Sequence, residues 1–175
     1  MTLTTLREAR PEDAEAIAAI HIGSWQAAYR HLLPAAYLDS LSAQLSRRTS
    51  QWRQRTATTG HGVLVAQDGP EVVGWIASER LSRDEGASSS TGEIQAIYLA
   101  PEHWRRGLGR RLIAAALQDL ARQGCGEATL WVLQGNEQAV AFYRTLGFDA
   151  EPAATQVIER GGVRLVEQRY RRELG

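Results

Sequence analysis

The segment 92–122 constrains the fold of this chain more than any other part of the sequence. Its first part, Gly92–Ala100, carries the spaced apolar residues of a strand, and Pro101 ends that strand. Its last part, Gly107–Arg122, places leucine, isoleucine and alanine on one face, a pattern typical of an amphipathic helix. A further strand is predicted at Ala128–Leu133, so the chain contains a strand–helix–strand unit that indicates a layered α/β fold.

The other predicted elements surround this unit. The order is a strand, helices, three strands, a helix, a strand, a helix and two strands. The loop Ser82–Gly92 is expected to be flexible but is too short for a linker, so residues 1–175 are expected to form a single domain. The predicted helices are Pro11–Arg30, Ala35–Leu41, Gln44–Thr56, Gly107–Arg122 and Asn136–Leu146. The predicted strands are Leu3–Arg10, Gly62–Ala66, Glu71–Leu81, Gly92–Ala100, Ala128–Leu133, Phe148–Glu159 and Val163–Arg171.

The composition argues against several classes of function. Twenty basic and 20 acidic residues leave no net charge, which disfavours a general nucleic-acid binder. The single cysteine, Cys125, excludes an intramolecular disulfide and a cysteine metal cluster, and the four histidines lack metal-ligand spacing. No apolar run approaches the ~20 residues that span a bilayer, and Met1–Arg10 lacks the apolar core of a signal peptide. We therefore expect a cytoplasmic protein that uses neither a metal nor a membrane.

The turn between the central strand and its helix collects positive charge. Four arginines fall between His103 and Arg111, around the sequence Arg-Arg-Gly-Leu-Gly-Arg at 105–110. A helix start presents unpaired backbone N–H groups, and glycine lets a ligand approach that backbone closely. The turn therefore predicts a site for a pyrophosphate or a similar anion. It lacks the lysine of a P-loop, and Leu112 stands where a dinucleotide-binding fingerprint has its third glycine.

Two motifs in this chain resemble those of the GCN5-related N-acetyltransferase family. The first joins Ile94–Leu99, Pro101 and the turn 105–110, the second is Asn136–Phe148, and the resemblance covers Leu3–Tyr170. It implies a single α/β domain with helices on both faces of a central, mostly antiparallel sheet. It also implies transfer of the acetyl group of acetyl-CoA to a primary amine of a small molecule or peptide, by direct attack in a ternary complex.

The resemblance also implies roles for particular residues. The backbone at 97–99 would pair with the pantetheine arm, and the turn 105–110 would hold the pyrophosphate. Asn136 would bind the carrier near its amide arm, and Trp104 stands where the family has glutamine or arginine. The residues expected to bind acetyl-CoA are Ile97, Tyr98, Leu99, Arg105, Arg106, Gly107, Leu108, Gly109, Arg110, Asn136 and Tyr143.

The catalytic candidates are Tyr143 and Glu93. By resemblance, Tyr143 lies near the thioester sulfur, where its hydroxyl would protonate the departing thiolate. Glu93 is the preferred base, ahead of Glu79 and Glu127, although its place at a strand end is equally typical of a solvated acid. A backbone N–H near Ile97 would stabilise the developing oxyanion.

The acceptor site is less determined by the sequence. Trp25, Tyr29 and Tyr37 are candidates for its walls, although helical periodicity favours a core position for at least one of them. Trp75 and Trp131 lie in predicted strands and are expected in the core. The last strands of this fold often pair with a second copy, which leaves a homodimer open. A non-catalytic acyl-CoA-binding regulatory domain and a nucleotide-binding module are the alternatives to an enzyme.

Overall fold

A computed structural model describes residues 4–175, which form seven strands and five α-helices. The elements predicted within these residues are present with bounds shifted by a few residues, and the predicted start at Leu3 lies outside the described residues. The strands are β1 (Thr5–Glu8), β2 (Val63–Asp68), β3 (Glu71–Glu79), β4 (Thr91–Leu99), β5 (Glu127–Leu133), β6 (Asp149–Arg160) and β7 (Val163–Glu173). The helices are α1 (Ala14–Ala28), α2 (Ala35–Ser40), α3 (Leu45–Thr56), α4 (Leu108–Arg122) and α5 (Glu137–Thr145).

The strands form one mixed sheet in the order β1-β2-β3-β4-β5-β7-β6. Its neighbouring strands are antiparallel except β4 and β5, which are parallel because α4 returns the chain to the same end of the sheet. The hairpin of β6 and β7 turns at Gly161 and Gly162, whose φ angles of 58° and 75° suit glycine. The predicted α/β fold with a mostly antiparallel sheet is confirmed.

Helices cover both faces of this sheet. On one face, Leu112 and Ile113 of α4 are buried against the central strands, and α5 packs on the same cluster. On the other face, Ile17 of α1 packs with Trp75 of β3, which is fully buried as expected. A third apolar cluster, which contains Leu165, is formed by the C-terminal end of α1 together with α2, β5 and β7. Apolar burial on both faces, at about 25 cal/mol per Å², fixes the position of each helix against the sheet.

The sheet opens between β4 and β5. The two strands pair where Thr91–Glu93 meets Glu127–Thr129, and their register goes no further within residues 4–175. Since β4 continues to Leu99 and β5 to Leu133, the carboxyl-terminal parts of the strands diverge. One edge of β4 from Ile94 onward therefore lacks a partner strand in the described part of the chain. Its backbone groups face the gap and are available to a ligand.

Candidate active site

The gap between β4 and β5 opens into a cavity of about 760 Å³, which we call the cleft. The starts of α4 and α5 line it from one face of the sheet, and α1, β7 and the β3–β4 loop line it from the other. Of the predicted site residues, only Arg106 and Leu108 are absent from its described lining. The predicted residues that line it are Trp25, Tyr29, Glu93, Ile97, Tyr98, Leu99, Arg105, Gly107, Gly109, Arg110, Asn136 and Tyr143.

The arginine side of the cleft is formed by Arg105, Gly107, Gly109 and Arg110. Arg105 has a φ of 60° and Gly107, the N-cap of α4, has a φ of 80°. These two left-handed residues turn the chain from the end of β4 into the helix. A Cβ atom on Gly107 would meet no atom within 4 Å. The start of α4 is therefore open to a ligand, whereas the Leu108 side chain is buried in the core.

Gly109 serves the packing of the protein as well as an open cleft. A Cβ atom there would lie 3.1 Å from Cζ of Phe142 and 3.4 Å from Cδ1 of Leu99. The helices α4 and α5 thus approach each other at this glycine. The sequence predicts that Gly109 lets a ligand approach the backbone. The structure adds a second role, because a side chain at this position would crowd Phe142 and Leu99.

Trp104 fixes the turn onto the end of β4. Its indole N–H donates to the Leu99 carbonyl at 2.8 Å, and the Ser24 hydroxyl donates to the same oxygen at 2.7 Å. A carbonyl oxygen has two lone pairs, so the Leu99 oxygen is fully used by the protein. Any backbone pairing with a ligand along β4 must rely on its other groups. No sequence pattern indicated this role for Trp104, because its partner lies on another element.

The start of α5 brings Asn136 to the cleft. Its Oδ1 accepts a hydrogen bond from the Ala139 N–H at 3.1 Å, which caps the helix. Leu133 accepts from the Asn136 N–H at 3.1 Å, so the residue is held directly after β5. Asn136 therefore has a structural role in positioning α5. A side-chain hydrogen bond with Asn136 partly offsets the rise in the pKa of Tyr29, so Asn136 also faces that residue, and its role in donor binding stays a prediction.

Tyr143 lies about two turns of α5 further on, among apolar side chains. Its ring packs against Phe142 and Phe148, with centroids 5.3 Å and 5.9 Å away. Burial raises the pKa of the Tyr143 hydroxyl, and the nearby Tyr98 raises it further. The hydroxyl is therefore protonated at neutral pH, and burial makes it a weaker acid than an exposed tyrosine.

The carboxylate side of the cleft is formed by Trp25, Tyr29, Arg83, Glu93, Trp131 and Glu167. Trp25 and Tyr29 stand edge to face on α1, with ring centroids 4.9 Å apart. Burial, with smaller contributions from neighbouring tyrosines, raises the pKa of Tyr29. Trp25 and Tyr29 therefore line the cleft, and Tyr29 is also part of the third core cluster. The third predicted wall residue, Tyr37, packs against that cluster outside the described lining.

Tyr98 points its side chain to the same side, and its hydroxyl accepts from the Trp25 indole N–H at 2.8 Å. The His21 ring stacks on Tyr98 with centroids 4.5 Å apart. Burial, followed by the charge of Arg48, lowers the pKa of His21 to about 3, so the imidazole is neutral. His21 is outside the described lining of the cleft and supports the ring of Tyr98 from behind.

Glu93 is neither solvated nor free in its orientation. Its side chain is 1% exposed, and Arg83 holds it with Nη2–Oε1 at 2.7 Å and Nε–Oε1 at 3.1 Å. The Arg83 backbone N–H also donates to Oε2 at 3.0 Å. The alternative interpretation of Glu93 as a solvated strand-end acid is therefore wrong. Glu79 pairs with Arg55 and Glu127 with Arg171, and neither acid is in the described lining.

Trp131 lines the cleft and is half-buried, so its expected place in the core is wrong. Its indole N–H donates to Asp84 Oδ1 at 3.0 Å, and Arg169 donates to Asp84 Oδ2 at 3.1 Å. Arg169 also binds Glu151 at 2.6 Å. The β3–β4 loop, which was expected to be flexible, is thus fixed at Arg83 and Asp84 by side chains of the sheet.

The model of the acetyltransferase (GNAT) family matches residues 25–148, which include the turn at 105–110 and the whole of α5. The chain belongs to this family. The resemblance on which the site residues were chosen is therefore confirmed, as is the enzyme class, an acetyl-CoA-dependent N-acetyltransferase.

Relatives and solved structures agree with this assignment. YuaI, an uncharacterized N-acetyltransferase of Bacillus subtilis, is 35% identical over 165 residues, 94% of this chain and 90% of YuaI. A mycothiol acetyltransferase of Kocuria rhizophila is 34% identical over 90 residues, 51% of this chain and 30% of that protein. The fold is similar to PaiA N-acetyltransferase of Thermoplasma acidophilum in complex with coenzyme A (TM-score 0.74, 20% identity, 96% and 99% covered). It is equally similar to YncA of Salmonella typhimurium with acetyl-CoA (TM-score 0.74, 22% identity, 99% and 95% covered).

The structure also bears on membrane spans and metal sites. Within residues 4–175, none of the helices combines the length and the apolar character that a bilayer crossing requires. The His, Cys, Asp and Glu side chains of the same residues form no group of three or more that could hold a metal ion.

Proposed function

We propose that this GNAT enzyme transfers the acetyl group of acetyl-CoA to a primary amine of a small molecule or peptide, with both substrates in the cleft at once. The observation that carries the proposal is the gap between β4 and β5, because it connects the arginine side with the carboxylate side. A donor that enters from one side and an amine that enters from the other meet at the diverging strands. The reaction then needs no covalent enzyme intermediate.

The arginine side fits the donor. The open start of α4 offers backbone N–H groups, and Arg105 and Arg110 add two permanent cations. These groups would hold the pyrophosphate, and Arg106 and Leu108 would take part through backbone N–H groups. From there the pantetheine arm would follow the free edge of β4 past Ile97 and Tyr98 toward Tyr143.

The acyl transfer itself forms one C–N bond and breaks one C–S bond. The neutral amine attacks the thioester carbonyl carbon, and a backbone N–H of β4 near Ile97 stabilises the negative charge on the carbonyl oxygen. The tetrahedral adduct collapses with loss of the thiolate, which receives a proton from the Tyr143 hydroxyl. The proton that the amine nitrogen gives up passes to Glu93, directly or through water.

Two observations support these assignments. Tyr143 lines the cleft near Tyr98, and its hydroxyl carries the proton that the thiolate would receive. The Glu93 carboxylate is oriented by Arg83 and lines the cleft although it is almost fully buried. Three donor groups of Arg83 make four hydrogen bonds to the two carboxylate oxygens, so the Glu93 carboxylate is held in one orientation.

The proposal is tested with a panel of primary amines and acetyl-CoA, read by release of free thiol and by the mass of the acetylated product. We expect turnover with at least one amine class and a higher Tm in the presence of acetyl-CoA, but not ATP or NAD. Tight binding of acetyl-CoA with no product from any amine would favour a non-catalytic acyl-CoA-binding regulatory domain. The cytoplasmic location and a homodimer stay predictions, tested by cell fractionation and by light scattering.

A further inference from the structure

Among the described residues, Glu167 has no ion-pair partner, although its charge is one of the smaller causes that raise the pKa of Arg83. It lies on β7 opposite Leu133, the last residue of β5, and its half-buried side chain lines the cleft. Gln156 donates to its Oε2 at 2.6 Å. A carboxylate in this state favours a cationic ligand.

The other charges on this side of the cleft are matched. Glu93 is held by Arg83, and Arg169 lies between Asp84 and Glu151. The two guanidinium groups are therefore already engaged by carboxylates. Of the two strand carboxylates that line the cleft, Glu93 has an arginine partner in the described residues and Glu167 does not, so Glu167 is available to a ligand.

The surroundings of Glu167 also suit a cation. Leu165, two residues earlier on β7, packs with Tyr29 and Trp25, so β7 presents Glu167 to the same face of the sheet. Burial is the main reason why the pKa values of Tyr29 and Tyr98 are raised, and the charge of Glu167 raises both further. Aromatic rings beside a carboxylate attract ammonium and guanidinium groups through their faces.

We propose that Glu167 binds a second positively charged group of the acceptor, so that the preferred acceptors are primary amines carrying another ammonium or guanidinium group. This inference rests on the proposed function, in which Glu93 serves the amine that reacts. One carboxylate of the cleft then acts on the nucleophile, and the other selects the molecule that carries it. An acceptor with a carboxylate in the second position would be repelled.

The test compares three acceptors of equal chain length, namely hexamethylenediamine, hexylamine and ε-aminocaproate. For the wild type we expect KM and the calorimetric Kd to be lowest for the diamine and highest for ε-aminocaproate. Glu167→Gln is expected to raise KM and Kd for the diamine about tenfold, which corresponds to about 1.4 kcal/mol. Its values for hexylamine and acetyl-CoA are expected to stay within about twofold.

Two further variants complete the test. Glu173→Gln removes a carboxylate from the same strand, where it is 85% exposed and outside the described lining, and should leave all three acceptors unchanged. Glu167→Asp keeps the charge and should retain the preference for the diamine. The inference is overturned if Glu167→Gln leaves the diamine unchanged or weakens both amines equally. Calorimetry measures binding without turnover, so the two proposals can fail separately. Absence of acetyl transfer would refute the proposed function alone. Absence of a preference for the diamine in binding would refute the role of Glu167.

Discussion

The two sides of the cleft differ in how their residues are brought together. The arginine side comes from a single stretch of chain, the turn 105–110 that runs from the end of β4 into α4. The carboxylate side comes from α1, the β3–β4 loop, β4, β5 and β7, which are distant in sequence. A local site is visible as a motif, whereas a side built from five elements has no local pattern. The difference also separates the functions, since the first side suits a common donor and the second a particular acceptor.

The largest expected effect concerns the chemistry where the two sides meet. Tyr143→Phe is expected to lower kcat about 100-fold, because general acid catalysis contributes about 10²–10⁴-fold. The KM for acetyl-CoA should change little, since the ring and its packing remain. Steady-state kinetics checks this, with Tyr37→Phe as the control, because Tyr37 packs on Gly161 and is outside the described lining. Equal kcat values for the two variants would remove Tyr143 from the mechanism.

A smaller effect is expected from the arginine side. Arg105→Ala and Arg110→Ala should each weaken binding of coenzyme A about tenfold or more, because a hydrogen bond to a charged group contributes about 1.5–3 kcal/mol. Arg106→Ala should weaken it about twofold at most, since the Arg106 side chain is exposed and outside the described lining. Calorimetry with coenzyme A at low and high salt measures both the affinity and its screening. If all three variants lose affinity equally, the turn acts through its general charge and not through defined side chains.

A separate expected effect, on stability and not on activity, concerns the support of the carboxylate side. The pKa of His21 is lowered to about 3 from an ordinary value of about 6.5, so the unfolded chain binds a proton that the native state does not. Stability should therefore fall as pH decreases from about 6.5 toward 3, by at most about 1.4 kcal/mol per pH unit. His21→Phe, which keeps a ring beside Tyr98, should flatten this dependence.

Urea unfolding at pH 7 and pH 5 measures the effect as a change in the free energy of unfolding. His103→Gln is the matched control, because His103 lies in the turn after β4 and not in the aromatic stack. A pH dependence that is the same in the wild type and in His21→Phe would show that His21 is protonated in the native protein. The neutral support for Tyr98 would then be excluded.

Much of the fold was accessible from the sequence, because local patterns dominate its elements. The apolar face of α4, the glycines at 161 and 162 and the proline after β4 predicted element types and ends that the structure confirms. The sequence predicts a core position for Trp131, because a tryptophan in a strand is usually buried. Its indole instead meets Asp84 of a loop, and a loop partner leaves no periodic signal in the sequence.

The candidate site divides in the same way. Arg105, Gly107 and Arg110 could be chosen because a strand, a glycine-rich turn and a helix follow one another directly. The sequence predicts that Gly109 allows a ligand to approach the backbone. It does not predict the close contact of Gly109 with Phe142, because that contact depends on how α4 packs against α5. The Arg83–Glu93 pair could not be predicted, because it depends on the path of the loop between β3 and β4.

The family, the order of the elements and the glycine-rich turn at 105–110 could be read from contiguous residues. Backbone conformation and amphipathic periodicity are local properties, so they are encoded in contiguous residues. The acids that share the cleft follow from the packing of the folded chain, which pairs Arg83 with Glu93 and brings Glu167 of β7 to the same cavity as Tyr29 after α1. The charge balance of a buried site depends on all the charged groups around it, and only folding brings these groups together. Our proposal for the acceptor rests on this charge balance.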